Sequence, residues 1–397
     1  MRDAVIVDII RTASGRGKAR GALSGVHPVD LLAATLAALV ERTGIDPATV
    51  DDVIGGCVSQ AGQQSMNVTR SAVLAAGLPE SIPATTIDRQ CGSSQQAAHF
   101  AAQGVLAGAY DIVIACGVES MSRVPMFSPM LGEDPWGSRL GLRYPDGLVS
   151  QGISAELIAA RWKLDRQQSD EFSARSHTRA AQAQATGLFA KEIVPIEVTD
   201  ADGLSSWHTV DQTIRPSTTV EGLAGLKSSF YDAALAERFP ELAWQITPGN
   251  SSPLSDGASA ALIMEAETAS RLGLTPRARF AAFGVSGDDP LLMLTGVLPA
   301  TRKVLQRSGL SIDDIDTYEV NEAFAPVPLV WAHEFNADPA RLNPRGGAIA
   351  LGHPLGASGL RLMTTMVNHL EQTGGRYGLQ TMCEGGGMAN ATIIENL

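Results

Sequence analysis

Two cysteines of this sequence, far apart along the chain, each adjoin a glycine-rich turn. Cys91 is followed by Gly-Ser-Ser, and Cys383 is followed by Glu-Gly-Gly-Gly. Between them, the segment Gly346–Gly359 holds a single histidine, His353, among five glycines. Glycine lets backbone approach a reacting group closely and leaves N–H groups free to point at it. Two thiols and an imidazole on such backbone predict acyl-transfer chemistry with one nucleophile and one proton carrier.

Cys91 is expected at the start of a helix, because Ser93 to Leu106 is rich in alanine and glutamine and ends near Gly108. A thiol at a helix N-terminus feels the positive end of the helix dipole, which favours the thiolate. The alternative is an unreactive buried thiol, the usual fate of a free cysteine. That alternative is favoured for the two other cysteines, which lie in or at the end of apolar strands: Cys57 and Cys116.

His353 stands between Gly352 and Pro354, and a following proline restricts its backbone to extended geometry. A histidine on such a stiff loop is predicted to aim its imidazole at a site. Cys383 ends an apolar strand, so the amides of the three glycines after it are placed to line an oxyanion hole. The other histidines are expected to be surface or core residues: His27, His99, His177, His208, His333 and His369.

A further motif is Val320–Ala325, which contains Asn321. It follows an apolar strand, and the carboxyl end of such a strand is the usual ligand face of an open α/β sheet. Asn321 is therefore a candidate to hold a water or a carbonyl oxygen. The alternative interpretation is an asparagine that caps the next helix.

Size and charge limit the class of protein. A chain of 397 residues predicts two or three domains, and 44% hydrophobic with 18% charged residues is typical of a soluble globular protein. The net charge of −12 argues against non-specific nucleic-acid binding but does not exclude an anionic ligand. Four cysteines give no disulfide or zinc pattern, and no run of about 18 apolar residues predicts a membrane span. The N-terminus is predicted to be a strand rather than a signal peptide, so we expect a cytoplasmic protein.

The two ends of the chain contain similar segments. Thr43–Ile54 aligns without a gap to Ser308–Glu319, and in both a predicted helix ends at a glycine. A second set of matches follows at nearly the same offset: Cys91 with Ser358, Tyr110 with Tyr377, and Cys116 with Cys383. The alternative is chance likeness between two stretches of an α/β chain. We interpret the matches as two similar βαβ-type halves.

Between the halves the composition changes to scattered proline, tryptophan and charge, with a helical stretch predicted from about Ser154 to Thr186. The apolar run Ser255–Met264 is then predicted to return as a strand of the first half. The predicted organisation is an N-terminal half of residues 1–120 plus 246–272, an inserted loop domain of residues 121–245, and a C-terminal half of residues 273–397.

Taken together, the motifs resemble the thiolase family of acyl-CoA:acetyl-CoA acyltransferases along essentially the whole chain. The resemblance rests on Cys91-Gly-Ser, Asn321-Glu-Ala-Phe, Gly-His353-Pro and Cys383-x-Gly-Gly-Gly, in that order. It implies an α/β fold in which duplicated halves form a five-layered α-β-α-β-α core beneath the loop domain. It also implies a homodimer or homotetramer.

The resemblance implies the role of each matched residue. Cys91 would be the acylated nucleophile and Cys383 the general acid and base. His353, together with Asn321 acting through a water, would hold the thioester oxygen of the enolate. The amides of Cys91 and Gly385 would form a second oxyanion hole. Coenzyme A is implied as co-substrate, with no permanently bound cofactor, metal or redox group.

The resemblance also implies which residues would contact the substrate. Arg215 would lie near the nucleotide of CoA and Ser252 near the pantetheine arm. The residues implied to shape the acyl and pantetheine tunnel are Met293, Ala323 and Phe324.

Some positions depart from the family pattern. Ser150-Gln151-Gly152 replaces the His-Met-Gly of thiolases specific for acetoacetyl-CoA, and Ser94 and Asp88 are also atypical. Because Gln151 is expected above the acyl end of the substrate, we expect a degradative 3-ketoacyl-CoA thiolase whose substrate is larger than acetoacetyl-CoA, whether branched, cyclic or polar. One alternative is that Gln151 points to solvent or to CoA and that ordinary medium-chain substrates suffice. Another is a biosynthetic enzyme that condenses two acetyl-CoA molecules.

Three rival classes are disfavoured by the motifs. A ketoacyl-synthase-like condensing enzyme would pair its cysteine with two histidines rather than with a second cysteine. A sterol-carrier-type thiolase would carry His-Asp-Cys-Phe in place of Asn321–Phe324. A non-enzymatic binding protein of this fold would not need all four polar site residues.

Overall fold

A computed structural model describes residues 2–199 and 203–397. The strands in these ranges are β1 Ala4–Thr12, β2 Gly15–Arg16, β3 Asp52–Gly56, β4 Ala84–Ile87, β5 Ile112–Ser120, β6 Ile193–Val194, β7 Ile196–Thr199, β8 Ser205–His208, β9 Ser255–Glu265, β10 Ala278–Gly287, β11 Thr317–Val320, β12 Tyr377–Glu384 and β13 Met388–Asn396. The helices are α1 Pro28–Thr43, α2 Val68–Ala75, α3 Ser93–Ala107, α4 Gly137–Arg143, α5 Gln151–Trp162, α6 Arg166–Ala185, α7 Val220–Ala224, α8 Ala233–Arg238, α9 Ala266–Arg271, α10 Val297–Ser308, α11 Pro326–Phe335, α12 Ala348–Leu351 and α13 Ser358–Thr373.

The main sheet runs in the order β11-β12-β13-β10-β1-β9-β5-β3-β4. On the N-terminal side, β3 is parallel to β4 and β5, and β9 runs antiparallel between β5 and β1. On the C-terminal side, β11 is parallel to β12, and β13 runs antiparallel between β12 and β10. The two sides meet where β1 pairs antiparallel with β10, with Val5 opposite Arg279. Each half therefore repeats one pattern, as the aligned segments predicted.

The buried apolar residues form three layers beside the main sheet. The first lies between α1, α2 and the N-terminal strands, the second around α3 and α13, and the third against α10 and α11. Alternate residues of β1 enter the first and second layers, and neighbouring residues of β13 enter the second and third. Representative members are Leu36 and Val53 of the first, Ala98 and Met363 of the second, and Val304 and Ile393 of the third. The five-layered α-β-α-β-α core is therefore confirmed.

The duplicated helix ends have the same backbone geometry. Gly44 follows α1 with a φ of 65°, and Gly309 follows α10 with a φ of 73°. Each amide donates to the carbonyl four residues earlier, Val40 and Leu305 respectively. Glycine adopts this left-handed conformation without a Cβ clash, so both predicted helix ends are confirmed.

The inserted region differs from its prediction in one respect. The helical stretch expected from Ser154 to Thr186 is divided into α5 and α6, because Lys163 has a φ of 56° and ends the first helix. Asp165 then starts the second with a reciprocal capping box to Gln168. Side chains of α5, including Ile153, enter the apolar layer of the C-terminal half. This packing anchors the inserted region to that half.

A buried ion cluster joins the inserted region to the central strand. Arg11 of β1 pairs with Glu192 at 2.9 Å and with Asp211 at 2.8 Å, and all three side chains are fully buried. Next to it, β6 adds to β1 as a short parallel strand. A buried charge needs its partners, because removing one partner leaves the others unpaired in a low-dielectric interior.

Replacing Arg11 by methionine should therefore destabilise the protein strongly. We expect the free energy of unfolding to fall by about 3–5 kcal/mol, because Glu192 and Asp211 would lose their shared cation. The matched control is Arg302→Met, which breaks a 3.3 Å pair with Glu334 in which the arginine side chain is 58% exposed. That control should cost less than about 1 kcal/mol. Urea unfolding at equal protein concentration measures both, and equal midpoints for the two variants would contradict the argument.

Candidate active site

Cys91 lies in a tight turn directly before α3. Gln90 has a positive φ of 48°, and its carbonyl accepts a hydrogen bond from the Ser93 hydroxyl at 2.6 Å. The same hydroxyl accepts the amide of Arg89 at 2.9 Å, so the turn is closed on both sides of the cysteine. The Cys91 side chain is buried, in an apolar cluster with Leu355. Its predicted position at the start of a helix is confirmed.

The expected effect of the helix dipole, which favours the Cys91 thiolate, is outweighed by burial in the free protein. Burial raises its pKa well above the usual value, and negative charge at Cys383 and Glu384 would raise it further. The helix N-terminus acts in the opposite direction, but desolvation of a fully buried thiol outweighs it. Reaction at this sulfur therefore requires a neighbouring proton acceptor.

His353 is buried and held at both its backbone and its ring. Its amide donates to the Ser255 hydroxyl at 3.0 Å, and its Nδ1 lies 2.6 Å from Oγ of Ser358. The Ser358 hydroxyl itself donates to the carbonyl of Pro354 at 2.9 Å. Because the hydroxyl proton of Ser358 is already used in that bond, Oγ of Ser358 accepts a hydrogen bond from Nδ1–H of His353. The neutral ring then presents the lone pair of Nε2 to the site.

The charge state of His353 leaves Nε2 unprotonated, and the lowered pKa also makes the ring a weak base in the free protein. Burial, aided by the positive charge of Arg361, lowers its pKa to about 3. The ring is therefore neutral near pH 7, and Nε2 is free to take a proton. The geometry supports the predicted proton carrier on this loop.

Asn321 follows directly after β11 and reaches two other residues of the site. Its Nδ2 lies 3.4 Å from Nε2 of His353, and its side chain also hydrogen-bonds the Cys383 thiol. Its Oδ1 has no hydrogen-bond partner within the described ranges. The helix-capping alternative is excluded, because α11 begins at Pro326 with Ala325 at the cap.

Cys383 is the penultimate residue of β12 and is fully buried. Burial raises its pKa to about 12, although the hydrogen bond from Asn321 acts in the other direction. Near neutral pH it is a thiol and therefore a proton donor. A Cβ at Gly385 would lie 2.9 Å from Oε1 of Gln90, so the glycine turn after Cys383 packs against the turn that carries Cys91.

Two buried carboxylates that the sequence analysis did not single out hold the site loops. Glu322 accepts from Ser176 of α6 at 2.7 Å, from Asn343 at 2.8 Å and from the amide of Ile349 at 3.1 Å. Glu119 accepts the amide of Gly356 at 2.9 Å, just after His353, and the amides of two residues that follow β3. The signal for Glu322 was its place beside Asn321. No sequence signal pointed to Glu119, since its hydrogen-bond partners come from distant segments.

A surface cleft contains the predicted CoA contact Arg215. Its lining also includes Arg16, His177 and Ser251. His177 was expected to be an ordinary surface or core residue, yet its Nδ1 accepts the amide of Arg215 at 3.2 Å. Ser252 adjoins the cleft, and its amide donates 3.0 Å to the carbonyl of Ala323. The cleft therefore connects with the segment that carries Asn321.

The remaining predicted substrate contacts gather around one aromatic pair. The rings of Phe230 and Phe324 meet edge to face with centroids 5.9 Å apart. Met293 is buried in the same apolar cluster as Phe324. Gln151 is the half-buried first residue of α5, and a Cβ on the next residue, Gly152, would strike the Phe230 ring. The structure thus links His353, Asn321, Cys383 and Cys91 to one another, and it places Met293, Ala323 and Phe324 in one apolar cluster.

Metal-binding clusters and membrane-spanning helices are absent from the described part of the chain. Within residues 2–199 and 203–397, no three histidine, cysteine, aspartate or glutamate side chains are grouped to hold a metal ion. Over the same ranges, no helix has the length and apolar character that crossing a membrane requires. All four cysteines are free thiols.

Sequence and structure comparisons give a consistent picture. The profile described as "Thiolase, N-terminal domain" matches residues 4–267, and "Thiolase, C-terminal domain" matches residues 274–396. The chain is 48% identical to the steroid 3-ketoacyl-CoA thiolase FadA6 of Mycobacterium tuberculosis, over its whole length and 95% of that protein. It is 43% identical to an Escherichia coli beta-ketoadipyl-CoA thiolase over the full length of both. The crystal structure of the Bacillus anthracis acetyl-CoA acetyltransferase superposes with a TM-score of 0.89 at 34% identity, covering 100% of this chain and 99% of that one.

The hydrogen bond from His353 to Ser358 should control the reactivity of Cys91. In Ser358→Ala the ring is free to move its proton to Nε2, which then cannot accept one from the thiol. We expect alkylation of Cys91 by iodoacetamide at pH 7 to slow at least about 10-fold, within the 10²–10⁴-fold that a general base supplies. Peptide mass spectrometry against time measures it. Ser308→Ala, at the far end of α10, is the control; an unchanged rate in Ser358→Ala would refute the assigned tautomer.

Proposed function

This chain belongs to the thiolase family and is an acyltransferase, and from this premise we propose that it cleaves a 3-ketoacyl-CoA with CoA to give acetyl-CoA and a shortened acyl-CoA. The observation that carries the proposal is the convergence of two buried thiols, a neutral histidine and an asparagine. Asn321 contacts both His353 and Cys383, and Cys383 lies close enough to Cys91 to affect its pKa. One thiol serves as nucleophile and the other as proton donor.

The first half-reaction begins with proton transfer. Nε2 of His353 accepts the thiol proton of Cys91, and the sulfur attacks the 3-keto carbon of the substrate. The amides of Cys91 and Gly385 stabilise the resulting oxyanion. The C2–C3 bond then breaks, leaving the acyl group on Cys91 and the enolate of acetyl-CoA.

The enolate needs both charge stabilisation and a proton. The imidazolium of His353 now carries a proton on Nε2 and donates it as a hydrogen bond to the thioester oxygen, with Asn321 assisting through a water. Cys383, whose pKa of about 12 keeps it protonated, delivers its proton to C2 and releases acetyl-CoA. The Cys383 thiolate then takes the thiol proton of incoming CoA, whose sulfur attacks the acyl-cysteine in the second half-reaction. The shortened acyl-CoA forms as the bond to Cys91 breaks, and the Cys91 thiolate recovers its proton from the His353 imidazolium.

CoA binding is assigned to the cleft and the segment beside it. Arg16 and Arg215 supply positive charge for the phosphates of the nucleotide, and Ser252 lies toward the pantetheine arm. A chain with a net charge of −12 can bind an anionic ligand where such arginines are local. Met293, Ala323 and Phe324 would line the path to Cys91.

We propose a substrate acyl group larger than acetoacetyl. The names of two relatives refer to a steroid-derived and a β-ketoadipyl substrate, which are cyclic and carboxylated acyl groups. Gln151 is half-buried and precedes Gly152, which lies against the Phe230 ring of the Phe230–Phe324 pair, and its amide would add a polar group beside these rings. The competing candidate is acetoacetyl-CoA chemistry, which is favoured by the similarity to an acetyl-CoA acetyltransferase structure.

We also propose domain boundaries at residues 120, 245 and 272, a homodimeric or homotetrameric state, and a cytoplasmic location.

The acyl group should be found on Cys91. After brief incubation with a 3-ketoacyl-CoA and acid quenching, the peptide that contains Cys91 should gain the mass of the shortened acyl group. Adding free CoA should remove that mass and release a second acyl-CoA, as a ping-pong mechanism requires. The control is a Cys91→Ala protein, which should show no adduct. An adduct on Cys383 alone would reverse the two roles, and no CoA-dependent product with any 3-ketoacyl-CoA would refute the function.

Gln151 should set the ranking of substrates. A side-chain amide left unpaired by a plain alkyl chain costs about 1–3 kcal/mol, so Gln151→Met should favour 3-ketooctanoyl-CoA over functionalised substrates by roughly 5- to 150-fold in relative kcat/KM. The measurement is kcat/KM for acetoacetyl-, 3-ketooctanoyl- and carboxylated or cyclic 3-ketoacyl-CoA.

Gln167→Met supplies the matched control, because Gln167 is exposed on α6 and bonds Glu171. It should leave the ranking as in the wild type. Acetoacetyl-CoA as the best wild-type substrate, or an unchanged ranking in Gln151→Met, would contradict the substrate proposal.

A further inference from the structure

Glu384 is a buried carboxyl group with no partner in the described parts of the chain. It is the last residue of β12 and follows Cys383 directly. Neither of its side-chain oxygens has a hydrogen-bond partner within those parts. Buried carboxylates normally accept several hydrogen bonds, as Glu119 and Glu322 do here. Glu384 therefore differs from Glu119 and Glu322.

Asn390 of β13 contains a second unpaired atom close by. Its Nδ2 donates to the carbonyl of Gly92 at 3.0 Å, which fixes the orientation of the amide group. Its Oδ1 is consequently an acceptor, and it has no partner within residues 2–199 and 203–397. The Gly92 carbonyl also receives the first backbone hydrogen bond of α3, from Gln96 at 2.8 Å. Asn390 thus holds the turn that contains Cys91.

The two unpaired groups meet beside Gly92. Both polar atoms of the Asn390 side chain lie within 2.9 Å of the point that a Cβ on Gly92 would occupy. Oε1 of Glu384 lies closer still to that point. Glycine is required here because any side chain would displace these groups. Two acceptor oxygens brought together in a buried space need a donor between them.

The charges around Glu384 favour its neutral form. Burial raises its pKa to about 9, Arg89 acts in the opposite direction, and Asp88 raises it further. The other titratable groups that face it are the thiols of Cys91 and Cys383. Both are neutral near pH 7 and add no charge, and a negative charge on either sulfur would hold the proton on Glu384 more strongly.

We propose that Glu384 is a protonated carboxylic acid whose hydroxyl donates a hydrogen bond to Oδ1 of Asn390, and that this pair positions the Gly92 carbonyl and the Cys91 turn. Glu384 is a positioning residue, since it acts on the nucleophile through Asn390 and Gly92. The hydrogen bond accounts for an unpaired oxygen on each partner at once.

The neutral state also has a consequence for the proposed chemistry. An ionised Glu384 would raise the pKa of both Cys91 and Cys383 and would oppose the negative charge that develops on sulfur and on the enolate oxygen. Only this consequence rests on the proposed function. The hydrogen bond itself can be tested without any substrate.

The first test compares Glu384→Gln with Glu384→Met. Glutamine keeps a donor for Oδ1 of Asn390, whereas methionine has a similar size and no donor. The rate of Cys91 alkylation by iodoacetamide, followed by peptide mass spectrometry at pH 7, should be about three- to tenfold higher in Glu384→Gln than in Glu384→Met, as expected for one net hydrogen bond. Equal rates would overturn the positioning role.

The second test measures the proton directly and needs only Glu384→Gln. Because the pKa of Glu384 is raised in the folded chain, the native state holds a proton that the unfolded state releases above its ordinary pKa. The contribution of Glu384 to the free energy of unfolding of the wild type therefore decreases as pH rises from about 4.5 to 9. Glu384→Gln shows no such decrease, because glutamine does not titrate. The melting temperature of Glu384→Gln minus that of wild type should rise with pH over this window, on the order of 1–2 °C per pH unit.

Glu395→Gln at the end of β13 is the matched control. Burial alone would raise the pKa of Glu395, but hydrogen bonds from Arg279 and Arg376 lower it. Its stabilisation is complete above its unfolded pKa, so the difference from wild type should be constant above about pH 5.5. A flat difference for Glu384→Gln over the same range would show that Glu384 is ionised in the native protein and would overturn the proposal, even if the thiolase function holds.

Discussion

Burial of both thiols is the constraint on which the site depends. Removing Cys91 and Cys383 from water raises the pKa of each, so neither is reactive alone. The same burial lowers the pKa of His353 and keeps its ring neutral. A neutral base thus lies in a site with two neutral acids, and charge appears only when a substrate accepts it. Water exclusion also strengthens each hydrogen bond made to that charge.

Buried carboxylates organise the loops that carry these groups. Glu119 and Glu322 accept backbone amides and side chains from segments far apart in sequence, and so act as junctions between loops that have little regular structure. Arg11 with Glu192 and Asp211 does the same for the inserted region. Each junction is stable only when complete, because a lost partner leaves a buried polar group unpaired. The loops around His353 are consequently fixed by networks rather than by packing alone.

Much of this fold could be predicted from the sequence, because its signals are local. The glycines after α1 and α10, the helix that follows Cys91 and the strand before Asn321 all depend on nearby residues. The predictions that differ from the structure concern features that depend on tertiary contacts. The helix break at Lys163 puts a non-glycine residue in left-handed geometry, and no local pattern signals it. The expectation that Cys91 favours the thiolate considered the local helix dipole but not the burial that opposes it.

The duplicated halves explain how one scaffold supplies complementary groups. In the aligned repeats, Cys91 corresponds to Ser358, and each lies at the start of one of the two central helices. The first is the candidate nucleophile, while the second fixes the proton on the histidine that would activate it. Likewise Cys116 corresponds to Cys383: one is buried within its strand, and the other ends its strand beside Asn321. Because the candidate nucleophile comes from the first half and the proposed base, acid and asparagine come from the second, neither half would contain a complete site. The pairing of β1 with β10 and the packing of α3 on α13 are therefore requirements of the chemistry as well as of the fold.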